Sequence, residues 1–249
     1  MAYRQPAFMV TNKLTQIPLA QITASNFGNV AALVDGRFDP TSAVSLSIAG
    51  QRVICDFVTS TSVTSCWIPA GHNISGTVRL RSLFPSQTLG TTTAQVGSPI
   101  SIFAASASPA TQWLVEFDQA GAWSFGELWF GDRLQLSSAV APAFSSGFEQ
   151  RVETLEFPSR TEFLEISPPR KTFRLTVRNI ITGSSDFLIM LAIARNGFSR
   201  PFIYWPPDDT DAGPFAVTLA RPAQLVQDFA VPTKSVRYRI DLEMVEVLS

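Results

Sequence analysis

Period-two alternation of polar and apolar residues is the main pattern in this chain. Thr77-Val78-Arg79-Leu80-Arg81-Ser82 alternates cleanly, as does the second half of Trp113-Leu114-Val115-Glu116-Phe117-Asp118. The longest run is Val236-Arg237-Tyr238-Arg239-Ile240-Asp241-Leu242-Glu243-Met244-Val245-Glu246-Val247. Its even positions are nearly all apolar and its odd positions mostly charged. Side chains alternate faces along a strand, so such a run sets one face on a core and the other in water or against a polar partner. The pattern also predicts strands over Ala43–Ile48, Arg52–Thr59, Ser62–Trp67, Phe125–Phe130 and Asp132–Leu136. Further along, it predicts Val152–Phe157, Lys171–Ile180, Phe202–Trp205 and Ala216–Leu219.

Helix is scarce. Ala24–Val34 carries a short turn with Ser25 or Asn26 as its cap. Ser184–Asn196 is the best helix: a Ser-Ser-Asp cap precedes apolar residues, and Asn196-Gly197 supplies a stop. It is apolar nearly all round, which predicts burial, and a buried strand is the competing assignment. Many short strands with frequent turn signals make the chain mainly β. Seventeen prolines keep turns tight and sheet edges blunt.

Composition divides the chain near residue 148. Residues 1–148 hold 14 charged residues, and residues 149–249 hold 25. Between them Ser137–Gly147 has linker-like composition, which places a boundary around 137–150. Two domains are expected, 1–140 and 149–249. The second is smaller and β-rich, a β-barrel or an α+β unit with one short helix.

The net charge is −1 over 249 residues. No basic excess marks a nucleic-acid-coating protein. No apolar run reaches about 18 residues, so no membrane-spanning helix is expected. The N-terminal residues lack a long apolar stretch, so no cleaved signal peptide is expected either. Of the basic residues, 16 are Arg and three are Lys. Arg suits bidentate, partly desolvated ion pairs at polar interfaces, although genome base composition produces the same bias.

Candidate chemistry is sparse. Cys55 and Cys66 read as two small buried hydrophobes, with a disulfide across a hairpin as the alternative. With His72 the single histidine, no zinc set is visible. His72 and Asn73 sit in a turn flanked by Gly71 and Gly76, where they either hydrogen-bond loop backbone or touch a ligand or partner. Asp208-Asp209-Thr210-Asp211 lacks the spacing of a calcium loop and reads as a solvated acidic loop or a partner contact. Asp35-Gly36-Arg37-Phe38-Asp39 reads as a turn. Neither a phosphate-binding glycine loop nor a nucleophile elbow occurs. The clustered aromatics Trp113, Trp123, Phe125, Trp129 and Phe130 read as core, with a sugar platform or interface anchor as the alternative. No catalytic residues, cofactor or metal are expected.

Val34-Asp35-Gly36, a strand, Gly71-His72-Asn73 followed by Gly76, and then Thr77–Ser82 resemble the galactose-binding-like, discoidin-type jelly-roll. Trp113–Phe117 is similar to a late strand of that module. Glu127–Leu136 resembles the tail the module carries in bacteriophage tail proteins. Arg200-Pro201-Phe202-Ile203-Tyr204-Trp205 is similar to segments of distal and minor tail proteins of long-tailed phages. The resemblance implies a β-sandwich jelly-roll in 1–140 and a tail-assembly domain in 149–249. It also implies a structural virion protein at the tail tip, made in the bacterial host's cytoplasm. Such a protein forms part of a ring or collar joining the tail tube to baseplate or fibre proteins. Its partners are then copies of itself and other tail proteins. A carbohydrate-binding module for attachment to host-surface glycan is the alternative. On the assembly reading, the C-terminal strand is an edge that adds to a neighbour's sheet. Arg237, Arg239, Asp241, Glu243 and Trp205 are the expected interface residues, with an internal strand of wet outer face as the competing arrangement. His72 and Asn73 are the expected ligand loop.

Overall fold

The structure, a computed structural model, describes residues 5–24, 30–35, 51–118, 124–138, 141–149, 152–157, 160–165, 169–196, 200–207, 214–228 and 236–247. The strand expected at Ala43–Ile48 and the caps Ser25 and Asn26 lie outside them, as do Trp123, Asp39 and Asp208–Asp211. Along the chain come β1 (Ala7–Met9), β2 (Ile22–Ala24), β3 (Gln51–Thr61), β4 (Ser65–Ile68), β5 (Gly76–Leu83) and β6 (Ser86–Ala94). β7 (Ile100–Phe103), β8 (Ala110–Phe117), β9 (Trp129–Gly131), β10 (Leu134–Gln135), β11 (Ala141–Glu149) and β12 (Val152–Phe157) follow. The chain continues with β13 (Arg160–Glu165), β14 (Arg170–Ile181), α1 (Ser185–Asn196), β15 (Phe202–Trp205), β16 (Phe215–Leu219), β17 (Leu225–Asp228) and β18 (Arg237–Glu246). The fold is mainly β, with α1 the one α-helix among the described residues.

Two compact units emerge. The sandwich unit takes Ala7–Gln135 and Phe202–Phe215. The second unit takes Met1–Pro6, Leu136–Pro201 and Ala216–Leu248. The sequence reading placed Phe202–Trp205 in the second domain, but β15 pairs antiparallel with β1, Trp205 opposite Ala7. The expected linker over 137–150 is largely strand β11, whose small and polar residues lie along a sheet edge.

In the sandwich unit a five-stranded sheet, β2-β3-β8-β5-β6, and a three-stranded sheet, β7-β4-β9, share one core. Alternation dictates the faces. Val78 and Leu80 of β5 are buried, while Arg79 and Arg81 point outward to Asp118 and Glu116. Trp113 is fully buried because its indole N–H donates to the carbonyls of Thr61 (2.9 Å) and Ala110 (3.2 Å). Cys66, Ile102 and Phe130 of the smaller sheet enter the same core. Ser65, Trp67, Trp129 and Gly131 alternate to the opposite face, yet they too are buried. That face lies against β1, which forms a further layer with β10 and β15. Phe8 there stacks on Tyr204 with ring centroids 5.3 Å apart. Asn12 ties the layers: its amide donates to the Leu128 carbonyl, and its oxygen accepts from the Leu14 and Phe130 amides.

In the second unit β18 lies between β14 on one side and β16 and β17 on the other, and β14 pairs onward to β11. Phe173, Leu175 and Val177 of β14 and Ile240, Leu242 and Met244 of β18 form its buried face. Helix α1 adds Ile189, Met190 and Ile193. Ser184 caps α1 by accepting from the Phe187 amide, and buried Asp186 accepts from the Ser137 amide and hydroxyl. The helix is not buried all round, since Leu188 is 59% exposed. A bulge interrupts β14 at Arg178–Asn179, where Asn179 takes a φ of 63°. β12 and β13 pair only with each other among the described residues. They follow the end of the β11–β14 ladder, at Glu149 opposite Arg170, as a two-stranded ribbon.

The approach of β1 to β9 depends on glycine. A Cβ on Gly131 would lie 2.7 Å from the Thr11 carbonyl oxygen and 2.8 Å from Met9 Cγ. Gly131→Ala is therefore expected to destabilise the protein by about 1–3 kcal/mol. A thermal unfolding midpoint equal to wild type would show that the two strands do not pack this closely.

Candidate functional site

His72 and Asn73 organise a turn. Gly71 and Gly76 adopt φ of 89° and 88°, which permits the reversal into β5. The His72 ring is turned inward and is 1% exposed. Its Nδ1 accepts from the Ile74 amide at 3.1 Å, and the His72 carbonyl accepts from the Gly97 amide. Asn73 exchanges bonds with the loop at Ser124: its side-chain oxygen accepts from the Ser124 amide at 2.6 Å, and its own amide donates to the Ser124 carbonyl. His72 thus turns its ring inward with Nδ1 on loop backbone, and Asn73 keeps an exposed position with its side-chain carbonyl engaged.

Burial lowers the His72 pKa below its ordinary 6.5, opposed in part by the Ser98 backbone. The unfolded chain then binds this proton more readily than the folded one. The stabilisation is complete above about pH 6.5 and is lost as pH falls through the folded value. Thermal unfolding over roughly pH 5–8 should show a midpoint that falls on acidification, and His72→Gln should flatten that slope. An unchanged slope would remove His72 as its source.

Cys55 and Cys66 are free thiols, both fully buried on facing strands β3 and β4. Burial pushes both pKa values up, Cys55 further under the influence of Cys66 and Asp56. They behave as core hydrophobes.

The expected interface residues are paired within the second unit. The Arg237 guanidinium reaches Asn179 Oδ1 at 3.4 Å, and Arg239 Nε lies 3.4 Å from Asp241. Asp241 also accepts from the Thr176 hydroxyl at 2.6 Å. Glu243 takes two arginines, Arg174 Nε at 3.3 Å and Arg221 Nε at 3.1 Å. The strand is therefore internal with a wet outer face. It is no edge, because both of its hydrogen-bonding sides are occupied. Trp205 is buried in β15 of the sandwich unit and is not a protruding anchor.

Two surfaces remain with chemistry to offer. On the sandwich unit the Arg133 guanidinium lies 4.0 Å from the Phe103 ring centroid and 5.4 Å from that of Trp205. Phe103 stays 48% exposed. Beside it the Arg133 amide donates to the Thr64 hydroxyl, and Lys13 Nζ bonds Asp132 at 2.6 Å. Pairing along β4 builds this cluster, since Ser65 sits opposite both Phe103 and Gly131. Sequence spacing carries no trace of that juxtaposition.

On the second unit a groove of about 420 Å³ runs over residues 145–149, 172–174, Ala220 and 243–245. Its outer-face rows pair Ser145 with Arg174 and Gly147 with Thr172, so small residues of β11 keep the floor low beside the arginine. Arg174 is 77% exposed even though it pairs with Glu243. Ion pairs this exposed contribute about 0–1 kcal/mol, so its guanidinium is free to re-pair at little cost. Among the described residues no group of three His, Cys, Asp or Glu gathers to hold a metal. Among the described residues no helix is long and apolar enough to cross a membrane.

No protein-family model matches the sequence, and no curated protein matches it. Among solved structures, the chain is similar to a histidine mutant of the lectin-binding domain of lectinolysin complexed with Lewis b. The identity is 14% and the TM-score 0.37, over 45% of this chain and 92% of that one. The lectin domain of lectinolysin complexed with Lewis B antigen is similar at 15% identity and TM-score 0.37, over 44% and 90% of the two chains. A TM-score of 0.37 is too low to define a shared fold.

Proposed function

We propose that this protein binds carbohydrate through its sandwich unit and thereby attaches to a glycan-bearing host surface. The observation that carries the reading is the half-exposed Phe103 ring with Arg133 stacked on it beside the Lys13–Asp132 pair. An exposed aromatic face takes the apolar face of a sugar ring, and neighbouring charged groups fix its hydroxyls. The five-against-three sandwich and the sequence's resemblance to galactose-binding-like jelly-rolls support the same reading. The fold alone does not dictate a ligand. A glycan array probed with the full chain is expected to give selective binding, weakened about tenfold by Phe103→Ala or Arg133→Ala. Silence across the array, or binding untouched by both variants, would sink the proposal.

A second reading is favoured by a different observation, the β12–β13 ribbon that pairs with no other strand among the described residues. An isolated two-stranded ribbon is marginal in water and gains stability by packing on something else. On this reading the chain is a structural subunit of a phage tail tip, in a ring or collar with copies of itself and other tail proteins. The chain catalyses no reaction in either reading. Light scattering of the full chain tests the second one: an oligomer of defined mass supports it, and a monomer at every concentration counts against it.

A further inference from the structure

We infer that strand β11 is the edge at which two copies of this chain join, pairing antiparallel about Ser145 so that the sheets of two second units become one. The contact stands with either reading of function. The sequence reading expected β18 to be the edge that adds to a neighbour, but the strand that ends this sheet is β11. Its nine residues pair with β14 in unbroken register, and among the described residues no strand lies on its other side. An open edge presents a row of unpaired N–H and C=O groups, which proteins guard with lysine, proline or a bulge. From Ala143 to Glu149 there is no lysine, no proline and no break in register. Ala143, Ser145, Ser146, Phe148 and Glu149 are all exposed.

Full overlap of β11 with its own copy has one register, with Ser145 opposite Ser145. Charge favours it. Glu149 then lies opposite the second copy's Ala141, which is paired in turn with Arg178. Arg178 is exposed, and the bulge leaves no residue of β18 directly opposite it: the register passes from Val177–Ile240 to Ile180–Tyr238. Each Glu149 thus stands between Arg170, opposite it on its own β14, and the second copy's Arg178. The two Arg174 residues stand three strand spacings apart, about 14 Å. That exceeds the Debye length of about 8 Å at physiological salt. On the other face Phe148, 74% exposed, meets the second copy's Pro142, and the two Phe144 rings become diagonal neighbours. Phe144 stacks on Phe173 with ring centroids 6.4 Å apart, so the apolar face continues across the join. A contact of this kind is isologous and closes as a two-fold dimer.

The test is a register-specific crosslink in the full chain, read beside its mass by sedimentation equilibrium. Directly opposed residues have Cα atoms about 4.5–5.5 Å apart, inside disulfide range. Ser145→Cys should therefore give a disulfide-linked dimer under oxidised glutathione. Ala143→Cys, whose position faces Gly147 in this register, should not. The two native thiols are buried and stay out of the reaction. Glu149→Arg and Arg178→Glu should each weaken dimerisation about tenfold. An equimolar mixture of those two variants should dimerise like wild type, because both junctions of the mixed dimer again join opposite charges. Circular dichroism and thermal unfolding would confirm that each variant is folded. A wild type that stays monomeric at every concentration overturns the contact. Equal crosslinking at positions 143 and 145, or charge variants that dimerise like wild type on their own, also overturns it and leaves the assembly reading standing.

Discussion

The sandwich unit depends on burying its three-stranded sheet from both sides. One face of β7-β4-β9 meets the five-stranded sheet through Cys66, Ile102 and Phe130. The other carries Trp67, Trp129 and Ser65, and these are buried as well. A sheet covered twice needs a second apolar layer, which β1, β10 and β15 supply. The missing side chain at Gly131 lets that layer approach, and Asn12 satisfies backbone groups that the close approach would strand. The exposed ring of Phe103 sits at the margin of this arrangement, where the cover ends and the sheet face meets water.

The second unit divides its work between the faces of a single sheet. Its inner face is a continuous apolar surface under α1. Its outer face is a mosaic of ion pairs in which Asp241 and Glu243 of β18 already have partners. Such pairs add little stability in water, so exposed arginines such as Arg174 can exchange partners at little cost. That makes the outer face suited to recognition and the inner face to cohesion.

Strands β5, β14 and β18 were legible because each has one buried face and one wet face, and strict alternation follows. Helix α1 was legible from Ser184 and Asn196-Gly197. Strand β11 was misread as a linker because an edge strand of Ser, Gly and Pro needs no apolar alternation. The exposed, threonine-rich strand β6 escaped for the same reason. The edge character assigned to β18 failed because alternation reports the faces of a strand and says nothing about its hydrogen-bonding sides. The turn at His72 could be read as backbone-organising from its flanking glycines. The stacking of Arg133 on Phe103 could not be read, since it exists only once β4 has brought β7 and β9 to either side of it.

The path of β15 bears on how the chain is made. The sandwich unit begins at Ala7, yet the strand that pairs with β1 is Phe202–Trp205. During synthesis the first strand emerges long before its partner exists. Until residue 205 clears the ribosome, Phe8, Met9 and the tryptophans beneath them lack a full cover. Contacts so distant in sequence form late and fold slowly. The partly made chain is an open sandwich with a sticky face, and a fragment ending near residue 140 would keep that condition permanently. Completion of the first unit thus waits on the synthesis of residues 136–201, which belong to the second.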